Sequence, residues 1–397
     1  MPLHYPAHLM AMVPLCWALR VAGHDVLVAG PPELAVPARN AGLSTAVVEH
    51  TASAASAADF TPDERWFPNE AAGRRDTPAG RMAWQVNARH SAEFTETHLD
   101  RYLRLARRCR PDLILLDPLS VGHLLIGAVL DVPCVVHRWG VDPTEGPFRE
   151  TLRELLEPLR ARLGLGRWPE PAMVIDPCPP RLQVEDAPPG EPIRYVPFNG
   201  PGELPGWARR RGDRPRVCVT LGGTVMAWVG PRPLLRVMDA LRRLPGVETV
   251  VALAPQDRRI IGELRDDVRV VEALPLSLLL PTCDVLVHHG GSGTGLTATA
   301  YGRAQLVLPQ LVDEFDYGRL LAVAGAGITV PDRAGQDDVA GLAEALRALL
   351  EEPSYTAAAR ELSAQMRLAP SPGAIVHQLE RLAARPTAAP IRLTSPA

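Results

Sequence analysis

The sequence contains no lysine, so each of the 42 residues counted as lysine or arginine is an arginine. This absence excludes a P-loop ATPase and a protein kinase, because both place a lysine on the phosphates of their nucleotide. It also excludes a pyridoxal-phosphate enzyme, whose cofactor forms a Schiff base with lysine. A phosphate bound by this chain must therefore be held by backbone amides or by His, Ser, Thr or Arg side chains.

Further absences narrow the class of protein. The chain has no Asp-x-Asp motif, which removes the simplest carboxylate site for a divalent metal on a diphosphate. Its six cysteines form no Cys-x-x-Cys motif and lie mostly in apolar stretches, so we expect reduced core residues in a cytoplasmic protein. The apolar runs are shorter than the roughly 18 residues of a membrane helix, and a secretory signal is not expected. A net charge of −3 argues against nucleic-acid binding as the main function.

The length of 397 residues is sufficient for two domains. Short apolar runs alternate with helical patterns throughout, which predicts an α/β protein with parallel sheets covered by helices on both faces. The predicted strands are Asp25–Ala29, Thr45–Val48, Asp112–Leu116, Pro133–His137, Arg194–Pro197, Arg216–Leu221, Thr249–Leu253, Val268–Val271, Val285–His288, Leu306–Leu308 and Ile328–Val330. Two such series of strands predict two doubly wound domains.

The predicted linker between the domains is residues 201–215, a stretch rich in proline, glycine and charge. It separates an N-terminal domain, 1–200, from a C-terminal domain, 216–370, which a helix at 371–385 and a tail at 386–397 follow. A second irregular stretch, 51–80, is long for a connection inside a domain, and we interpret it as a binding loop. Trp66 and Phe67 lie in this loop and Trp84 lies beside it.

The segment from His288 to Thr294 reads His-His-Gly-Gly-Ser-Gly-Thr and carries the most specific chemical signal. Its glycines let backbone amides approach an anion, and the helix predicted to start there adds a partial positive charge. His289 can donate a hydrogen bond to a diphosphate oxygen. A helix that caps itself is the alternative, but a cap needs only one Ser or Thr, so we favour anion binding. A dehydrogenase is disfavoured, since Leu296 stands where the dinucleotide fingerprint needs its third glycine.

Two acids, Asp313 and Glu314, follow the next predicted strand and its Pro309-Gln310 pair. Carboxylates at this edge of the sheet, close to the anion-binding turn, could accept hydrogen bonds from hydroxyl groups of a ligand. A solvated acidic loop that caps the following helix is an equally good interpretation.

A candidate acid–base pair comes from the first half of the chain. His8 begins the first predicted helix, and Asp117 ends the strand Asp112–Leu116. The carboxyl ends of parallel strands meet at one edge of a sheet, so the two side chains can meet there. A carboxylate on one imidazole nitrogen would raise the basicity of the other. Asp117 could instead only cap the next helix, because Pro118 follows it.

These motifs resemble the donor-site signature of family 1 glycosyltransferases of the GT-B fold. More narrowly, the chain resembles the branch that transfers deoxysugars from nucleotide diphosphates to polyketide and macrolide aglycones. Further segments carry this resemblance: His8, Met12–Gly23 with His24, Pro111–Asp117, Tyr195–Gly200, Pro215–Gly223 and Pro370–Pro372. Together they cover nearly the whole chain.

The resemblance implies two Rossmann-like domains facing across a cleft, with the acceptor on the first, the nucleotide sugar on the second, and the last helix crossing back. It implies that His8 is the general base and that Asp117 orients it. The donor-binding residues that it implies are Gly222, Gly223, Leu274, His289, Gly291, Ser292, Gly293, Thr294, Gln310, Asp313 and Glu314. Apolar surface for the acceptor is expected from Trp66, Phe67, Trp84 and Trp139.

The predicted reaction is transfer of a sugar, with inversion, from a nucleotide diphosphate that we expect to be dTDP to a hydroxyl of an apolar aglycone. The nucleotide sugar is a co-substrate, and no cofactor or metal is expected. A GT-B nucleotide-sugar epimerase and a non-catalytic binding homologue are the alternatives, and a helper protein and a homodimer are left open. Family members have an apolar strand before the Pro-Leu that is here Pro2-Leu3. We therefore expect either a start assigned downstream of the true one or an N-terminal domain without its first strand.

Overall fold

The computed structural model describes residues 1–2, 5–50, 77–142, 144–261 and 268–384. The strands of the first half are β1 Leu27–Gly30, β2 Ser44–Val47, β3 Ile114–Leu116, β4 Cys134–His137, β5 Met173–Asp176 and β6 Glu191–Pro192. Those of the second half are β7 Arg216–Thr220, β8 Glu248–Leu253, β9 Val268–Glu272, β10 Val285–His288, β11 Ala304–Val307 and β12 Gly327–Thr329.

The α-helices lie between these strands and after the last of them. In the first half they are α1 Pro6–Val21, α2 Ala35–Asn40, α3 Pro78–Cys109, α4 Leu124–Leu130, α5 Pro147–Leu155 and α6 Glu157–Arg162. In the second half they are α7 Gly222–Val229, α8 Arg232–Leu241, α9 Arg258–Ile261, α10 Leu276–Leu279, α11 Ser292–Ala300, α12 Val312–Val323, α13 Arg333–Asp337, α14 Val339–Glu351, α15 Pro353–Leu368 and α16 Pro372–Ala383. Among these described helices, none has both the length and the apolarity that crossing a bilayer requires.

Every strand pairing in the described residues is parallel. The second half forms one six-stranded sheet in the order β12-β11-β10-β7-β8-β9. The first half forms a four-stranded sheet, β3-β4-β5-β6, and a separate two-stranded sheet, β1-β2. The expected α/β class with two sets of parallel strands is thus confirmed, and the order reverses beside β7, where ligands bind in doubly wound sheets.

Met1 lies alongside β3 at the edge of the four-stranded sheet. Its amino group donates to the carbonyl oxygen of Leu115 at 2.6 Å, and the amide of Asp117 donates to its carbonyl oxygen at 3.3 Å. These two bonds fix the end of β3, and with it the backbone that carries Asp117.

The strands form where β-branched and aliphatic residues run together. Every residue of β7 and β10 is buried, as expected for strands with helices on both faces. Proline sets the start of several helices, because its fixed φ suits the first turn and its missing N–H is not needed there. Pro6 and Pro78 start α1 and α3 in this way.

The strands of the first half differ from the predicted ones near its end. Arg194–Pro197 is not a strand, and β5 and β6 come earlier in the chain instead. β5 is only four residues long and lies among prolines, which hid it in the sequence. The segment after β6 packs against the second half of the chain, where Tyr195 lies among apolar residues of α11 and α12.

Candidate active site

His8 and Asp117 meet at the carboxyl edge of the first-half sheet. His8 lies in the first turn of α1, and its Nδ1 is 2.7 Å from Oδ2 of Asp117. Asp117 is 1% exposed, and its Oδ1 accepts a hydrogen bond of 2.8 Å from the amide of Leu119. The carboxylate is therefore fixed on both oxygens, and it both caps the turn that follows β3 and orients the imidazole.

Trp139 supplies a second partner for the same imidazole. It follows β4, is 9% exposed, and donates from its indole Nε1 to Nε2 of His8 at 3.2 Å. Since the indole can only donate, Nε2 must carry the lone pair and Nδ1 the proton that faces Asp117. The two bonds thus select the tautomer that a general base requires.

The loop Arg138–Asp142 that carries Trp139 is held by a buried polar network. The guanidinium of Arg138 donates to Asp142, to Asp176 and to the carbonyl oxygen of Pro188, each at 2.7 Å. Gln183 accepts from the amide of Asp142 at 2.8 Å and donates to the carbonyl oxygen of Gly140 at 3.3 Å. The backbone of this loop therefore has little freedom to move.

Gly140 brings this loop against the second half of the chain. A Cβ at position 140 would lie 2.3 Å from Oγ of Ser292, so only glycine permits this approach. Ser292 is the first residue of α11. The imidazole of His8 is thus connected to the start of α11 through two consecutive residues, Trp139 and Gly140.

The turn before α11 contains two histidines with different surroundings. His288 is fully buried, accepts from the amide of Gly290 at 3.0 Å, and faces Oε1 of Gln305 at 2.9 Å. Burial lowers the pKa of His288 to about 3, so it is a neutral part of the core that shapes the turn. Sequence reasoning did not separate its role from that of His289.

The imidazole of His289 lies between Gly222, which follows β7, and Gly291, which precedes α11. A Cβ at Gly222 or at Gly291 would approach the imidazole to 2.9 and 2.3 Å, respectively. Burial lowers the pKa of His289 to about 4, so the ring is neutral and has one N–H to donate. Its Nδ1 is buried without a hydrogen-bond partner in the described part of the chain, and its Nε2 lies 3.8 Å from Oε1 of Glu314. A polar atom in this position is suited to bind a ligand oxygen.

The first turn of α11 offers backbone donors beside His289. Gly291 precedes the helix without a side-chain cap, and helix geometry leaves the amides of Ser292, Gly293 and Thr294 without intrahelical acceptors. Gly222, with φ +65°, starts α7 after the neighbouring strand β7, and Gly223 follows it. Leu274 lies half-buried before α10. These predicted donor residues therefore share one edge of the six-stranded sheet.

Glu314, predicted to contact sugar hydroxyls, and Gln310, predicted to bind the donor, both turn into the protein. Oε2 of Glu314 accepts from the amides of Gln310 and Leu311 at 2.7 and 2.8 Å, and burial raises the pKa of Glu314 well above its usual value. A carboxylate in the first turn of α12 reaches back to unpaired amides, which removes it from the surface. The amide nitrogen of Gln310 turns inward to Leu308 and Gln336. Asp313 remains half-exposed at the start of α12.

The predicted acceptor aromatics separate into three groups. Trp66 and Phe67 lie outside the described residues. Trp84 is corrected: it is 3% exposed in the core and packs edge to face on Phe148, with ring centroids 6.4 Å apart. It lies inside α3, which begins at Pro78. Trp139 lies beside His8.

Sequence reasoning missed the polar contacts between α11 and the segment that precedes the predicted linker. The hydroxyl of Tyr195 donates to the carbonyl oxygen of Gly293 at 3.0 Å, and Asn199 donates to Oγ1 of Thr297 at 3.2 Å. Asn199 also accepts from the amide of Ser277 at 3.1 Å. The resemblance over Tyr195–Gly200 was the available signal, and it did not say what these side chains contact.

Comparisons with known proteins agree on one family. Two family models match, described as the N-terminal domain (residues 17–222) and the C-terminal domain (residues 235–382) of erythromycin biosynthesis protein CIII-like proteins. An L-demethylnoviosyl transferase from Streptomyces niveus is 36% identical over 377 residues, 94% of each chain. A tylactone mycaminosyltransferase from Streptomyces fradiae is 32% identical, covering 95% of this chain and 90% of the relative.

Solved structures extend the similarity. The spinosyn rhamnosyltransferase SpnG superposes with a TM-score of 0.89 at 46% identity, covering 96% of this chain and 98% of SpnG. That protein has also been solved with thymidine diphosphate and with spinosyn aglycone.

Proposed function

The chain is a glycosyltransferase of the erythromycin biosynthesis protein CIII-like family with the GT-B fold, and from this premise we propose how it acts. It transfers a deoxysugar from a dTDP-linked donor to a hydroxyl of a polyketide or macrolide aglycone, with inversion at the anomeric carbon. The observation that carries this proposal is the link from His8 through Trp139 and Gly140 to Ser292, because it brings a general base next to an anion-binding helix start.

The choice of donor and acceptor rests on the relatives. SpnG is named a spinosyn rhamnosyltransferase, and it has been solved in complex with thymidine diphosphate and with spinosyn aglycone. Others are named for transfer to tylactone and to 10-deoxymethynolide. We therefore take dTDP-rhamnose and spinosyn aglycone as the first pair of substrates to test.

The reaction begins at Nε2 of His8. This nitrogen takes the proton of the acceptor hydroxyl as its oxygen attacks the anomeric carbon, and the bond from that carbon to the diphosphate breaks on the opposite face. Asp117 stabilises the imidazolium that forms, because its carboxylate faces Nδ1 at 2.7 Å.

The leaving dTDP carries the negative charge. The amides of Ser292, Gly293 and Thr294, the start of α11 and the N–H of His289 would stabilise that charge without a metal ion. In this proposal Gly222, Gly223 and Gly291 line the phosphates of dTDP. Leu274 packs near the nucleobase, and Asp313 accepts hydrogen bonds from the sugar hydroxyls. Gln310 and Glu314 act indirectly, by shaping the start of α12.

The remaining assignments belong to the same proposal. Residues 1–200 hold the acceptor, residues 216–370 hold the donor, and the helix at 371–385 joins them across the linker at 201–215. Trp66 and Phe67 contact the aglycone. The six cysteines are free thiols, in keeping with a cytoplasmic protein.

Calorimetric titration with dTDP, UDP and NAD⁺, without added metal, tests the donor site. We expect tight dTDP binding, weaker UDP binding and no NAD⁺ binding. His289→Ala should weaken dTDP binding by about tenfold, the typical effect of losing one hydrogen bond to a charged group. NAD⁺ binding in preference to dTDP, or no nucleotide binding by folded protein, would contradict the proposal.

A further inference from the structure

The nitrogen that must take a proton is already occupied. Nε2 of His8 accepts the indole N–H of Trp139 at 3.2 Å, and the two rings lie with centroids 5.0 Å apart. A lone pair held in this way cannot accept a proton until the indole moves aside or another donor takes its place.

The backbone that carries the indole is held on both sides of Trp139. Arg138 before it is anchored by two buried carboxylates, and Gly140 after it is in close contact with Ser292. The residue that covers the base is therefore attached to the start of α11, where the diphosphate would bind.

An uncovered base beside a bound sugar nucleotide has a competing reaction. Water can give its proton to Nε2 while its oxygen bonds to the anomeric carbon, and the bond from that carbon to the diphosphate breaks as the new bond forms. The products are free sugar and dTDP, and the activated donor is wasted. Hydrolysis and transfer use the same base, so the enzyme benefits from a base that is inaccessible to water until the acceptor is bound.

We propose that Trp139 is a positioning residue that shields the base: its indole N–H occupies Nε2 of His8 until the acceptor hydroxyl replaces it, which suppresses transfer of the sugar to water. The inference rests on the proposed function, because it takes Nε2 of His8 as the proton acceptor. A large acceptor displaces the indole through contacts that a water molecule cannot make, so Trp139 selects the acceptor over water.

The test measures dTDP release with donor alone, which reports hydrolysis, and formation of the glycosylated acceptor with donor plus acceptor, which reports transfer. Trp139→Phe keeps an aromatic ring and removes the N–H. We expect the ratio of hydrolysis to transfer to rise about fivefold, the effect of one neutral hydrogen bond. A merely structural defect would lower both rates and leave their ratio unchanged.

Trp17→Phe is the matched control. Trp17 lies on the same helix as His8, and its indole also donates a hydrogen bond, to the carbonyl oxygen of Ala41 at 2.8 Å. This variant loses the same kind of bond away from the base, so its ratio of hydrolysis to transfer should equal that of the native chain.

A second replacement covers the case in which Trp139→Phe does not fold. 3-Benzothienylalanine at position 139 has the shape of tryptophan with sulfur in place of the N–H, and it should raise the ratio in the same way. An unchanged ratio in this variant overturns the shielding role.

His8→Ala separates this inference from the proposed function. If His8→Ala abolishes transfer and the position-139 variants leave the ratio unchanged, only the inference about Trp139 fails. If His8→Ala transfers the sugar at the native rate, the assignment of the base itself fails.

Discussion

At the scale of single residues, the position of one proton decides what His8 can do. Asp117 accepts from Nδ1 and Trp139 donates to Nε2, so both neighbours favour the same tautomer. Asp117 has a second task, because its other oxygen caps the turn at Leu119. The same carboxylate thus stabilises the turn and orients the imidazole of His8.

Asp117→Asn should separate these two tasks. The amide oxygen can still accept from Leu119, while the amide nitrogen turns a donor toward Nδ1 and forces the proton of the imidazole onto Nε2. We expect kcat to fall by about 10²–10⁴-fold, since the base loses its lone pair, with little change in melting temperature. Steady-state kinetics and thermal unfolding measure the two effects.

Asp117→Ala is the comparison for that variant, because it removes the cap as well. It should lose activity and also about 1 kcal/mol of stability. An Asp117→Asn variant with native kcat would show that the tautomer does not limit the reaction.

The sequence predicts the position of a side chain best where the backbone alone decides that position. His8 and Asp117 each follow the pattern of a strand or helix end, so their meeting could be foreseen. Glu314, Gln310 and Trp84 could not be placed, because the direction of a side chain depends on its packing. Nothing in the pattern of residues 309–314 distinguishes a carboxylate that faces a sugar from one that folds back on the amides of Gln310 and Leu311.

At the scale of elements, strand ends and the loops after them build the site. β10 and β11 were predicted because their residues form continuous apolar runs. The short strands β5 and β6 and the helix α7 were not, since proline-rich and Gly-Gly segments have the pattern of turns. The loop Arg138–Asp142 could not be foreseen as a link between the halves, because the contact of Gly140 with Ser292 joins residues far apart in sequence.

Gly140→Ala tests this link. The added methyl group would lie 2.3 Å from Oγ of Ser292, and α11 or the loop must move to accommodate it. We expect about tenfold weaker binding of dTDP, from an overpacking cost of about 1–3 kcal/mol. Calorimetry with dTDP measures the change.

Gly166→Ala provides the control for that substitution. A Cβ at Gly166 meets nothing within 4 Å, so affinity and stability should stay at native values. If Gly140→Ala also bound dTDP with native affinity, the loop would not be coupled to the donor site.

At the scale of the whole molecule, the two halves are joined by more than the chain between them. α16 from the end of the described chain contributes Ile375 and Leu379 to a cluster with Leu15 of α1 and Val135 of β4. Tyr195 ties the segment after β6 to α11. The two halves are therefore held together by packed apolar residues and by hydrogen bonds.

Buried neutral histidines make the stability of the chain dependent on pH. Burial lowers the pKa of His123 and His288 to about 3, and that of His137 and His289 to about 4. Below the ordinary histidine value of about 6.5, the unfolded chain takes up protons that the folded chain does not. The free energy of unfolding should therefore fall as the pH is lowered from about 6.5 toward 4, by about 1.4 kcal/mol per pH unit for each such histidine.

His123→Phe should reduce the dependence of the unfolding free energy on pH by the contribution of one histidine, about 1.4 kcal/mol per pH unit. Neither ring nitrogen of His123 has a hydrogen-bond partner among the residues described, and the ring packs on Tyr102 with centroids 4.6 Å apart. Denaturant unfolding between pH 4.5 and 6.5 measures the slope, with exposed His377→Phe as the control. An identical slope in native and His123→Phe chains would contradict this account.

In the proposed mechanism His8 acts as the base in sugar transfer, next to a separate nucleotide site. The most direct measurement is the rate of transfer to the aglycone by native and His8→Ala chains, with the dTDP affinity of both measured in parallel. Our account predicts a loss of transfer of about 10²–10⁴-fold in His8→Ala with unchanged dTDP affinity. Native transfer by His8→Ala, or a folded native chain that binds dTDP and transfers nothing, would contradict it.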